Sequence, residues 1–222
     1  MSDQQVSRVV EDYVARIWKA EEWGDTPSTR DLAVSVGVTP STVSATLKKL
    51  ARDGFIDYEP YGAVSLTGAG RAIAVQVVRR HRIVETYLVQ ALGMTWDEVH
   101  HEADALEHAI SDTVLARMMD VLGHPDRDPH GDPIPATDGT VTAAPPVRLA
   151  EVPVGALVVI DRVSDREPEL LRHVAARDLE LGQTVRVLSV DDRTGLVTLG
   201  ASEGDVELSI SVARAVGVRL AD

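Results

Sequence analysis

The chain has 222 residues, 44% of them hydrophobic, and a formal net charge of −13. That length accommodates one large or two to three small hydrophobic cores, while the acidity argues on average against polyanion partners, because phosphate binding draws on lysine and arginine. The absence of cysteine excludes disulfides, thiolate metal sites and a cysteine nucleophile, so any metal chemistry must use nitrogen and oxygen ligands.

The polar start MSDQQVSRVVEDY has neither the basic flank nor the apolar centre of a signal peptide. No stretch has the roughly 18 consecutive apolar residues of a membrane span, so a cytoplasmic protein without membrane contact is expected. VSRVVEDYVARIWKAEEWGD reads as an amphipathic helix in which Val6, Val9, Val10, Tyr13 and Ile17, with Val14 beside them, recur at helical spacing. Gly24 closes it and Asp12 lies inside it. TPSTRDLAVSVGVTPSTVSATLKKLARDGFIDY then gives two short helices. Pro27 and Ser28 open the first, and Gly37 supplies a left-handed turn residue. Thr39 caps the second, with Pro40 at its first position, where a missing N–H costs nothing. Two helices joined by a tight glycine turn match a helix-turn-helix. FIDYEPYGAVSLT alternates apolar and polar residues around PYG, the pattern of a β-hairpin wing.

In the second of the two helices Val43, Leu47 and Leu50 form an inward stripe, leaving Ser41, Thr42, Ala45, Lys48, Lys49 and Arg52 on the outer face. Val38 to Arg52 contains no acid. Small hydroxyl and methyl groups followed by cations suit a helix entering a major groove, with base edges and thymine methyls met first and phosphates after. Thr39, Ser41, Thr42, Ser44, Ala45, Lys48, Lys49 and Arg52 are therefore the candidate DNA-facing set. The plainer alternative is a packing helix in an all-α protein. A single Phe and few aromatics argue against a stacking-type single-strand binder.

TGAGRAIAVQVVRRHRIVETYLVQALG begins with a Thr67 cap and continues as one long helix to Gly93, carrying His81 and Glu85 one turn apart. Next, VHHEADALEHAISD places three histidines, two glutamates and two aspartates in fourteen residues. Projected as a helix, His100, Asp104, Glu107 and His108 fall within roughly 100° of arc, beside an apolar stripe of Val99, Ala103, Leu106 and Ile110. Such clustering favours a metal site over a merely solvated face. TVLARMMDVLGH supplies a further helix after a break near Ser111. HPDRDPHGDPIPATDGTVTAAPPV, rich in Pro, Gly and Asp without periodicity, reads as a linker or ordered loop. From Leu149 the pattern turns to β, with ALVVIDRV, QTVRVLSVDD, GLVTLGA and DVELSISV separated by Gly and Asp turns.

Taken in this order the sequence resembles the DtxR/MntR family of metal-dependent transcriptional repressors over essentially its full length. EDYVARIW, TPSTVSATLKKLARDGFI, RRHRIVETYL, VHHEADALEHAISD and HGDPIP carry the likeness, and the pairing of RHRxxE with HxxEHxxSD is its most specific part. The resemblance implies a mainly α fold with a small β domain. Residues 1–70 would form a winged helix-turn-helix, 71–140 a helical dimerisation and metal-binding domain, 141–150 a linker and 151–222 an SH3-like β-barrel. It implies a regulatory metal site of Asp12, Asp104, Glu107 and His108, and a second of His81, Glu85 and His100 completed from the barrel. In three-domain relatives the barrel gives a Glu and, three residues on, a Gln. Here the matching positions are Glu167 and Leu170, with Glu169 nearby, and Leu cannot ligate. His101 and Glu102 project away from the ligand stripe.

Iron-type members carry Met and Cys where this chain has Asp12 and Asp104; carboxylates make the site harder, which suits Mn²⁺ and, less well, Fe²⁺. Zn²⁺, Co²⁺ or Cd²⁺ are expected to substitute in vitro. Two further departures are Ala15, where two-domain manganese sensors have Glu, and Ala45, where the family has a base-reading Gln. The expected protein is a homodimeric repressor of metal homeostasis genes, not an enzyme, binding a palindromic duplex operator, with up to two dimers per operator. A dinuclear metal hydrolase built on His81, His100 and His108 is the enzyme alternative, and it leaves the outward helix unexplained.

Overall fold

The computed structural model describes residues 6–59, 62–141, 144–166, 168–202 and 204–221. They gather into two compact units: Met1–Val84 with Asp104–Asp126 and Ile134–Pro145, and Glu85–Ala103 with Arg127–Pro133 and Pro146–Asp222. Among the described residues no helix is long and apolar enough to cross a membrane.

The first unit opens with α1 (Arg8–Glu22), which buries Val10, Tyr13, Val14, Ile17 and Trp18. Val9, expected on that stripe, is 54% exposed. At 100° per residue it falls outside the arc those five side chains span. In α2 (Thr29–Val36) Ser28 and Asp31 form a reciprocal capping box, and Gly37 ends the helix in the left-handed conformation at φ 74°. α3 (Pro40–Arg52) follows, with the Thr39 side chain accepting from the Thr42 N–H. Val43, Leu47 and Leu50 are buried and join α1 in one core with Leu32, Ile56 and Val64. The expected wing is present as β1 (Ile56–Tyr58) antiparallel to β2 (Val64–Leu66), with Ile56 facing Leu66. Residues 60 and 61 of its PYG tip lie outside the described residues.

α4 (Gly68–Leu92) is a single helix of 25 residues, capped by Thr67, whose Oγ1 accepts from the Gly70 N–H at 3.2 Å. Arg82, 1% exposed, forms a two-pronged pair with Glu22, 3.0 Å for Nη1 to Oε1 and 2.5 Å for Nη2 to Oε2. Its guanidinium also lies 5.3 Å from the Trp18 ring centroid, tying α4 to α1. α5 (Val99–Leu106) is shorter than the sequence pattern suggests. The N–H groups of Ala109 and Ile110 both bond the Leu106 carbonyl, and Ser111 then caps α6 (Asp112–Leu122). Glu107 and His108 consequently sit in a turn, and Leu106 is 38% exposed instead of continuing the apolar stripe.

In the second unit the four expected strands are β4 (Leu157–Val163), β5 (Thr184–Asp191), β6 (Leu196–Ala201) and β7 (Gly204–Ser209). β3 (Val147–Arg148) and β8 (Val216–Leu220) extend the sheet to six antiparallel strands in the order β3-β8-β4-β5-β6-β7. Two short helices were not evident from the pattern: α7 (Pro168–Ala175), and α8 (Ile210–Arg214), which starts where Ser209 Oγ accepts from the Val212 N–H and so turns the end of DVELSISV out of the sheet. The core is aliphatic, with Ile160, Val163, Leu171, Val187, Leu199 and Leu208 at 0% exposure.

The Pro/Asp-rich segment is ordered where it meets this sheet. Arg127 Nη1 donates to the Gly131 carbonyl at 2.6 Å and to Asp161 Oδ2 at 3.1 Å, and Val163 N–H donates to the His130 carbonyl at 2.9 Å. Arg162 Nε donates to Asp132 Oδ1 at 2.6 Å, both side chains being buried. Gly131 has φ 84°, and a Cβ there would stand 2.2 Å from the Asp161 carbonyl oxygen. Only glycine lets this loop lie against β4, at the bulge between Ile160 and Arg162.

Candidate metal centres and DNA-facing helix

α1 presents Glu11 and Asp12 toward the turn that follows α5. His108 Nε2 lies 3.0 Å from Asp12 Oδ1, and Nδ1 lies 2.8 Å from Glu11 Oε2. Glu107, 5% exposed, spans two imidazoles: its Oε1 is 3.2 Å from His108 Nε2 and its Oε2 is 2.7 Å from His81 Nδ1. Asp104 Oδ1 stands 3.4 Å from the same His81 nitrogen, and the Arg8 guanidinium anchors the Asp104 carbonyl at 3.1 Å. Potential ligand atoms of Asp12, Glu107 and His108 all fall within 4.8 Å of one another, as do those of His81, Asp104 and Glu107. This unit therefore brings Asp12, Asp104, Glu107 and His108 into one network and adds His81, grouped by the resemblance with Glu85 and His100. Because α4 is continuous, His81 also remains one turn before Glu85. Glu11 was not anticipated; next to Asp12 in sequence, it carries no periodic signal of its own.

The second unit holds another cluster. Glu85, 0% exposed, places Oε1 at 3.2 Å from His100 Nδ1, and Asp165 places Oδ2 at 3.5 Å from the same nitrogen. His100 and Asp104 stay one turn apart on α5, while Glu107 and His108 lie beyond its end. Glu167 lies outside the described residues. Glu169 has a 78% exposed side chain paired with Arg172, and Leu170 packs into the small domain's core. Asp165, 4% exposed just after β4, is the carboxylate that the sheet brings to His100, and its place in sequence gave no sign of this. His101 and Glu102 are exposed, as expected.

Asp128 and His130 adjoin this cluster, both buried. Asp128 Oδ1 accepts from the backbone N–H groups of His130 and Asp132, at 2.9 and 2.8 Å. The His130 ring stacks on Trp96, centroids 6.1 Å apart, and its Nε2 donates to the Trp96 carbonyl at 2.8 Å. Burial alone would depress the His130 pKa, but the Glu85, Asp128 and Asp165 carboxylates, with the Trp96 carbonyl, outweigh it and raise it above the ordinary imidazole value. The interior here is strongly negative and favours positive charge.

Both carboxylate–imidazole groups fit a hard or borderline divalent cation, since their donors are oxygen and nitrogen and several are buried, where bare carboxylates are costly without a counter-charge.

α3 exposes Thr39, Ser41, Thr42, Ala45, Lys48, Lys49 and Arg52, while Ser44 is half-buried. Thr39 Oγ1 lies 2.8 Å from Ser41 Oγ and 3.0 Å from Thr42 Oγ1, so the three hydroxyls form one cluster at the helix start. Arg52 pairs with Asp53 at 3.2 Å. Lys48 and Lys49 project with no acidic residue on their helix.

A winged helix-turn-helix, a helical segment dense in carboxylate and imidazole donors, and a small antiparallel sheet domain together define a metal-responsive DNA-binding protein. Residues 5–64 match the N-terminal DNA binding domain of iron dependent repressors, 67–136 their metal binding and dimerisation domain, and 147–220 the FeoA domain. The chain belongs to the DtxR/MntR family of metal-dependent transcriptional repressors, whose members are repressors rather than enzymes. It is 37% identical to the iron-dependent repressor IdeR of Mycobacterium leprae over 155 residues, 67% of each chain. It is 30% identical to the diphtheria toxin repressor of Corynebacterium diphtheriae over 216 residues, 93% of this chain and 94% of that one. Among solved structures, a manganese-dependent transcriptional repressor in complex with manganese superposes with a TM-score of 0.88 at 42% identity, covering 96% of this chain and all of that one.

Proposed function

We propose that this repressor is a cytoplasmic homodimer with Mn²⁺ as its physiological co-repressor, acting on a palindromic operator of metal-homeostasis genes. Asp12, Asp104, Glu107 and His108 are assigned to the regulatory centre, and His81, Glu85 and His100, with Asp165, to a second. The observation that carries the reading is the convergence of Asp12 from α1 with Glu107 and His108 in one oxygen-nitrogen donor group lacking sulfur. That donor set is harder than a Met/Cys-containing one and suits Mn²⁺. The 42% identity to a manganese-dependent repressor supports the same choice.

When bound, a divalent cation supplies the positive charge that relieves repulsion among the assembled carboxylates. The chain does the rest. Asp12 and His108 hold α1 against the turn after α5, and α1 shares its core with α3. Fixing α1 thereby fixes where each α3 sits, and the spacing of two such helices sets the fit to successive major grooves. Thr39, Ser41, Thr42, Ser44 and Ala45 are assigned to the base edges and methyls, and Lys48, Lys49 and Arg52 to phosphates.

An iron-responsive repressor of the same fold is the second reading, favoured by the 37% identity to IdeR. The test is titration of Mn²⁺, Fe²⁺ and Zn²⁺ into the metal-free dimer while binding to a palindromic operator is measured. Tightening by Mn²⁺ at lower free concentration than by Fe²⁺ supports the manganese reading. Tightening by Fe²⁺ alone replaces it with the iron reading.

A further inference from the structure

We propose that Glu11 is a positioning residue of the regulatory centre: its carboxylate takes the Nδ1–H of His108, so that the ring presents Nε2 to the divalent cation. Glu11 is not itself a ligand there, and its role presupposes the assignment of Asp12, Asp104, Glu107 and His108 to that centre.

The two nitrogens of His108 face different groups. Nε2 lies 3.0 Å from Asp12 Oδ1 and 3.2 Å from Glu107 Oε1, two oxygens of the assigned ligand set. Nδ1 lies 2.8 Å from Glu11 Oε2. An ionised carboxylate only accepts, so Nδ1 is the donor in that contact and carries a ring proton. A cation needs a nitrogen lone pair, and with Nδ1 protonated the one it can use is on Nε2, the nitrogen already turned toward Asp12 and Glu107.

The arrangement follows from α1. Glu11 and Asp12 are consecutive, so their side chains leave the helix about 100° apart. That divergence puts one carboxylate at each edge of the imidazole, which enters from the turn after α5. The side chains of Glu11 and His108 are both half-buried, and 2.8 Å falls within the range of about 2.7–2.9 Å for charge-assisted hydrogen bonds. A carboxylate on the far N–H of a metal-ligating imidazole fixes the ring's orientation and strengthens the opposite lone pair, and its loss typically costs about 10- to 100-fold in metal affinity. The plainer role for Glu11 is that of an acid in the first turn of α1, favoured by the helix dipole, and it predicts a change in stability alone.

Metal-free full-length protein is titrated with Mn²⁺ against a chelating competitor, and melting temperatures are recorded. The regulatory ion is the one whose binding Asp12→Ala abolishes. Glu11→Ala is expected to bind it about 10- to 100-fold more weakly, and Glu11→Gln, whose amide oxygen still accepts, to recover part of that loss. In Zn²⁺-loaded wild type with ¹⁵N-labelled histidine, His108 is expected to carry the metal on Nε2 and a slowly exchanging proton on Nδ1; that reading does not depend on any variant folding. A lowered melting temperature in Glu11→Ala with Mn²⁺ affinity unchanged, while Asp12→Ala loses the ion, would overturn the role of Glu11 and leave the centre standing. Affinity unchanged in Asp12→Ala and His108→Ala alike would remove the centre and the role of Glu11 with it. Metal on Nδ1, or a manganese-soaked crystal with a Glu11 oxygen bound to the ion, would also refute it.

Discussion

Asp12 and His108, 96 positions apart, meet at 3.0 Å between Oδ1 and Nε2. The contact joins α1, which shares a core with α3, to the turn after α5. Asp12→Ala and Asp104→Ala are each expected to reduce the metal-stimulated gain in operator affinity, about 5- to 150-fold for a typical allosteric coupling, to nearly none. Metal-independent binding and melting temperature should change little. His101→Ala, on the exposed side of α5, is the control that should respond normally.

Lys48 and Lys49 are exposed on α3. Replacing either by Ala is expected to weaken operator and non-specific duplex binding alike, and to lower the slope of log K against log salt by about 1 per residue. Ala45→Gln, by contrast, should change preference among operator sequences more than its salt dependence, because an amide side chain reads base edges. Competition assays at several salt concentrations separate these effects.

The Arg82–Glu22 pair is buried, with side-chain exposures of 1% and 4%. Removing one partner takes the two-pronged counter-charge from the other buried group. Arg82→Met and Glu22→Gln are each expected to destabilise the fold by about 3–5 kcal/mol, measured by denaturant unfolding. The double variant should recover part of that loss.

Asp191 stabilises the β5–β6 turn by accepting from the Arg193 N–H at 2.9 Å and the Thr194 N–H at 3.4 Å. These bonds, Arg193 first, hold its carboxyl below the ordinary aspartate pKa. A pKa depressed on folding means that the contribution is present above the unfolded value and disappears as pH falls through the folded one. Asp191→Ala should therefore lower the melting temperature at neutral pH and leave it closest to wild type at the acid end, as followed by thermal melts across pH.

Local sequence determined much of this protein. Ser28 with Asp31, Thr39 with Pro40, Gly37 and Gly93 mark helix ends through nearest-neighbour backbone chemistry, and Val43, Leu47 and Leu50 mark an inward face through helical period, so the winged helix-turn-helix was legible without coordinates. The donor-rich segment was legible as chemistry. The end of its helix was not, because the stop at Leu106 leaves Glu107 and His108 in a turn instead of on the helical stripe, and no periodic pattern encodes that break. Asp165, Asp128 and His130 become neighbours of Glu85 and His100 only once β4 is in its sheet and Gly131 lets the loop lie against it. Such juxtapositions depend on contacts between segments far apart in the chain, and those are decided by packing and buried charge rather than by any local preference.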